Sequence, residues 1–72
     1  MIEVFKTNVQ DRHHADKIVQ EIHDAFTDCR ANFDLEDCDN ILRVKCSTGE
    51  LQSTSLISLI SRCGFYAEIL SE

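Results

Sequence analysis

The chain has 72 residues, 43% of them hydrophobic and 28% charged, with a formal net charge of −6. A domain of this length buries about 60% of the surface its unfolded chain exposes, enough for one small core but not for a deep, enclosed active site. The acidic balance, 13 Asp and Glu against 7 Lys and Arg, works against phosphate-rich nucleic acid and against an anionic membrane surface.

Residues 2–7 alternate, with Ile2, Val4 and Lys6 on one face and Glu3, Phe5 and Thr7 on the other. The pattern predicts a strand, and apolar residues on both faces predict a central one with helices on at least one side. Ala15, Ile18, Val19, Ile22, Ala25 and Phe26 then recur at helical spacing, which predicts an amphipathic helix ending near Thr27 or Asp28. Asp11 stands just before it, where a carboxylate can accept from free N–H groups of the first turn.

Residues 29–36 and 40–46 predict two strands. Cys29, Ala31, Phe33 and Leu35 alternate with polar residues, as do Leu42, Val44 and Cys46. Asp37-Cys38-Asp39-Asn40 supplies turn formers between them, so the pair reads as a hairpin with one buried and one solvated face. The acidic side chains of its first strand are expected to face Arg43 and Lys45 of its second. Residues 47–50 predict a loop. A second helix follows, with Leu56, Leu59, Ile60 and Cys63 on one face, Ser53 as its N-cap and Gly64 as its stop. Residues 65–70 predict a last strand.

The order β-α-β-β-α-β predicts one domain over residues 1–72. Its class is α+β, a ferredoxin-like βαββαβ sandwich: a four-stranded antiparallel sheet of order 4-1-3-2 with two helices on one face. The other face stays open.

The N-terminus, MIEVFKTNVQ, lacks a basic stretch followed by an apolar run, so a secretory leader is not expected. No apolar segment approaches the length of a membrane span. The expected setting is soluble and cytoplasmic. There the four cysteines, Cys29, Cys38, Cys46 and Cys63, read as free thiols or metal ligands rather than disulfides. Cys29 and Cys46 share a face, most simply as small buried core residues. They lie close to one cross-strand step apart, so oxidation can close a disulfide between them.

Leu56–Leu70, LISLISRCGFYAEIL, resembles the closing helix and strand of heavy-metal-associated (HMA) domains, which end in an aliphatic helix, a glycine, an aromatic residue and an Ala-Glu type strand. Val4–Val9, VFKTNV, is similar to the first strand of those domains and the apolar anchor after it. The resemblance covers nearly the whole chain and implies the same sandwich fold. It also implies a metal site after the first strand, where the family carries Met-x-Cys-x-x-Cys. In this sequence Val9 takes the Met position, Asp11 the first Cys and His14 the second. The two thiolates that select Cu(I) are missing.

Three loops meet at one end of such a sandwich, and they bring together Asp11, His13 and His14, then Cys38, then Cys63. A site rebuilt from His, Asp and Cys would suit Zn(II), Ni(II) or Cu(II). Each member also has a plainer role: Asp11 as helix cap, His13 and His14 as solvent-facing residues, Cys38 on an acidic hairpin tip, Cys63 at a helix end that disfavours thiolate. His23, near the edge of the helical stripe, reads as structural. An open sandwich offers little concavity for catalysis, so no enzyme is expected.

The expected function is a non-enzymatic protein-interaction module, with a protein partner or a second copy docking through a sheet edge or the open sheet face. The alternatives are a metal-binding or metal-transport protein using the rebuilt site, and a small-ligand regulatory domain.

Overall fold

A computed structural model describes residues 2–36, 40–47 and 52–70 of the chain. The elements are β1 (Ile2–Thr7), α1 (Arg12–Ala25), β2 (Cys29–Asp34), β3 (Ile41–Cys46), α2 (Ser53–Arg62) and β4 (Ala67–Ile69). The four strands form one antiparallel sheet of order β2-β3-β1-β4. Counted from the β4 edge, that order is 4-1-3-2.

Register determines which side chains are buried. Phe5 lies opposite Leu42 and Ile69, Phe33 opposite Leu42, and Ala31 opposite Val44. These residues share the inner face with Cys29, Cys46 and Ala67. On that face Phe5, Leu42 and Val44 are fully buried against Ile18 and Ile22 of α1 and Leu56 and Ile60 of α2. Val9, in the loop after β1, is also fully buried. Each such side chain contributes roughly 1.5–3 kcal/mol by leaving water. The two helices leave the outer face uncovered, and Ile2, Lys6, Arg30, Arg43 and Lys45 are exposed on it, while Ile41 on the same face is buried.

The helix ends show why the elements stop where they do. Asp11 caps α1 as expected: its backbone is extended, and its Oδ1 accepts from the His13 N–H at 2.8 Å. The C-terminal end of α1 is earlier than the stripe predicts. Phe26 leaves helical geometry, donating its N–H to Ile22 O at 2.8 Å, because β2 begins three residues later. Ala25 is accordingly exposed. The N-cap of α2 is Gln52, not Ser53. Ser53 already lies inside the helix, and the extended Gln52 makes no side-chain capping bond. At the other end, Gly64 at φ 92° donates to Ser61 O at 3.0 Å, and Phe65 donates to Ile60 O at 3.1 Å. This left-handed cap satisfies two helix carbonyls and turns the chain back to the sheet.

Three strands are shorter than alternation alone predicts. β2 stops at Asp34, whose carboxylate accepts from the Glu36 N–H at 3.2 Å and starts a turn. β3 starts at Ile41 because Asn40 has a positive φ of 49°, which Asn tolerates and a strand does not. β4 pairs over three residues, since Phe65 is still bonded to α2.

The cysteines depart from the expectation of free thiols. Cys29 is directly opposite Cys46, with Cα atoms 4.0 Å apart, and the two form a disulfide. Cross-strand register places their side chains together in the core, where they are 4% and 2% exposed. Among the described residues no helix is long and apolar enough to cross a membrane.

Candidate functional site

The ends of β1, β3 and α2 are tied together at one end of the sandwich. The Thr7 hydroxyl donates to Asn40 O at 2.7 Å and accepts from the Val9 N–H at 3.2 Å. The Tyr66 N–H donates to Asn8 Oδ1 at 2.8 Å, linking the loop after β1 to the chain after α2. Asp11, His13, His14 and Cys63 all belong to this end.

Their geometry is less convergent than a metal requires. Asp11 holds the helix N-terminus, and its Oδ2 lies 3.8 Å from His14 Nδ1. The His13 and His14 rings are 5.9 Å apart. The His14 ring rests at 5.2 Å, tilted, on Phe65. Cys63 is half-buried and lines the same groove as His14, between α1 and α2, with Lys17, Ile18, Arg62 and Phe65. That groove has a volume of about 670 Å³. Cys38 lies outside the described residues. Among the described residues no three His, Cys, Asp or Glu side chains come together to hold a metal ion. The carboxylate and imidazole at the two thiolate positions do not fit the soft-metal pair that the HMA resemblance implies.

His23 does have a structural partner. The Ala31 N–H of the edge strand β2 donates to His23 Nε2 at 3.0 Å. The Cys29 N–H, on the same edge, donates to Phe26 O at 3.0 Å. Two of the donors that an incoming strand would need on this edge are therefore occupied.

The open face of the sheet carries the chemistry that composition hides. Side chains there alternate with the buried ones, so Lys6, Arg30, Arg43 and Lys45 all point outward. These are four of the seven basic residues of an acidic chain. Among the described residues only Asp34 and Glu68 answer them on that face. Arg43 pairs with Asp34 at 3.7 Å. Lys45 does not face an acid as alternation predicts; its cross-strand neighbour in β2 is Arg30.

No family model, curated protein or solved structure matches this chain.

Beside these charges, the open face carries apolar side chains. Ile2 is 59% exposed and Leu70 is 40% exposed. The Leu70 N–H donates to Val4 O at 2.9 Å, which sets Leu70 beside Val4. Tyr66, 55% exposed, donates its hydroxyl to Glu68 Oε2 at 2.8 Å. That bond and the carboxylate charge raise the phenol above its ordinary pKa, because phenolate would lose the one and be repelled by the other. Sequence reasoning expected the open face and missed the cation cluster on it. Its signal was the spacing of Arg30, Arg43 and Lys45, which only strand register converts into adjacency.

Proposed function

We propose that the protein is a non-enzymatic interaction module that docks a protein partner on its open sheet face. On this reading the chain is a ferredoxin-like sandwich of the HMA type that lacks the thiolate pair of that family. One observation carries the reading: the outer face combines exposed Ile2 and Leu70 and half-buried Val4 with Arg30, Arg43 and Lys45. Exposed apolar side chains rimmed by charge mark interaction surfaces. Sheet-edge docking is the weaker variant, since α1 already occupies donors of the β2 edge. A cytoplasmic setting belongs to the same reading, with the cross-strand pair open while the compartment is reducing.

A photo-crosslinking residue at Val4 tests it against the same residue at Asp16, on the solvent side of α1. Adducts from Val4 alone support the reading, and equal adducts from both sites, or none, overturn it.

Metal binding is the second reading, favoured by His14 and Cys63 lining one groove. In a titration of reduced protein with Zn(II), Ni(II) or Cu(II), it requires saturable amide shifts at residues 11–15 and 63–65. It also requires a gain in Tm that His14→Ala removes. Without both, it fails.

A further inference from the structure

The cations of the open face are arranged against the interest of the isolated fold. Arg30 and Lys45 are exposed and directly opposite each other, and like charges at such positions destabilise a strand pair. Arg43 lies two residues before Lys45 on the same face of β3, one diagonal step from Arg30. The carboxylate of this strand pair, Asp34, is paired with Arg43 and not with Arg30 or Lys45. Both line a shallow cleft of about 380 Å³ with Thr27, Asp28 and Ser47. Among the described residues that line it, Asp28 puts one negative charge beside two positive ones.

The face is also divided. Its β2–β3 half carries Arg30, Arg43 and Lys45, with Asp34 paired to Arg43; its β1–β4 half carries Ile2, Val4 and Leu70 toward one end and Lys6 and Glu68 toward the other. Neighbouring strands lie about 4.8 Å apart, so a short segment crossing the sheet touches both halves.

The geometry points to a partner segment with an acidic block followed by an apolar block, lying across the strands. Its carboxylates would meet Arg30, Lys45 and Arg43, and its apolar side chains would cover Ile2, Val4 and Leu70. The like-charge repulsion in the free protein becomes attraction once carboxylates arrive. This inference rests on the docking reading above and names the chemistry of the partner. A single strand of nucleic acid is the poorer fit. It needs aromatic platforms for its bases, and the chain's only tyrosine sits at the far edge with its hydroxyl engaged by Glu68.

The test uses a labelled synthetic peptide, Glu-Glu-Glu-Leu-Val-Leu, with a scrambled Lys/Leu peptide and an oligothymidylate as comparisons. Fluorescence anisotropy gives affinity, and amide shifts on the full chain locate the site. The expected result is saturable binding that weakens with salt, with shifts at Ile2, Val4, Arg30, Arg43 and Lys45. The Arg30→Glu, Lys45→Glu double variant should bind about tenfold more weakly or worse. Lys17→Glu, in the helical groove, should bind as the parent does. Circular dichroism checks each fold, and the milder Arg30→Gln, which relieves repulsion, should also weaken binding.

No peptide binding, or binding that survives charge reversal, overturns the proposal. So does oligothymidylate binding as tightly on this face, or self-association that the double variant abolishes. If the peptide fails while Val4 cross-links succeed, only the acidic chemistry is wrong. If both fail, the docking reading falls with it.

Discussion

His23 of α1 reaches the edge strand β2 and accepts the Ala31 N–H on its Nε2 at 3.0 Å. The bond requires a lone pair on Nε2, so the neutral ring carries its proton on Nδ1. A helix side chain thereby completes a hydrogen bond that an edge strand would otherwise offer to another chain. His23→Ala should cost about 1 kcal/mol and speed amide exchange at Ala31. Unchanged exchange there would show that the bond does not protect the edge.

The facing cations predict a gain in stability on losing charge. Arg30→Gln should raise stability by about 0.5 kcal/mol at low salt, and added salt should shrink the gain. Denaturant melts at two ionic strengths give the answer. A loss of stability would mean that the Arg30 stem, rather than its charge, dominates at this position.

Tyr66 reports on the face optically. It is the only tyrosine, so absorbance follows it alone. Its phenol should ionise later, as pH rises, than a free tyrosine does, because Glu68 accepts its proton and repels the phenolate. Glu68→Gln should bring the transition back toward the ordinary value. If the two curves coincide, the Tyr66–Glu68 bond is not held in solution.

The disulfide should be a measurable part of stability. Cys29 and Cys46 are separated by 17 positions, and closing a loop of that size is worth about 3 kcal/mol through the unfolded chain. The Cys29→Ala, Cys46→Ala variant should melt well below the oxidised parent and close to the reduced parent. Equal melting of all three would show that the cross-link adds nothing.

Thr7 is the one polar side chain in the described core. It serves a backbone acceptor in one direction and a donor in the other. Thr7→Val keeps the shape and strands both, so it should cost about 1–3 kcal/mol. A neutral outcome in thermal melts would mean that water takes the place of the hydroxyl.

The elements were legible because each carries its own period. Ile18 and Ile22, then Leu42 and Val44, announce which face is buried; β1 is apolar on both faces, and only the fold shows that Phe5 and Thr7 turn inward. Asp11 was legible as a cap because carboxylates favour that position. Ser53 was misleading for the same reason: it has the right chemistry, but the chain enters the helix one residue earlier. Strand ends were hidden in backbone detail, such as the positive φ of Asn40 and the cap at Gly64. The pairing of Cys29 with Cys46 and of Arg30 with Lys45 depends on a single register. Alternation gives faces, and only the ladder says who stands opposite whom.

That ladder also turns part of the chain into a ring. The disulfide joins the first residue of β2 to the last of β3, so the peptide between them is bridged at its base. A protease that cuts one bond between residues 30 and 45 adds the mass of a water and releases no fragment. The nicked molecule comes apart only when a reductant is added, and gels run with and without one would tell the two forms apart.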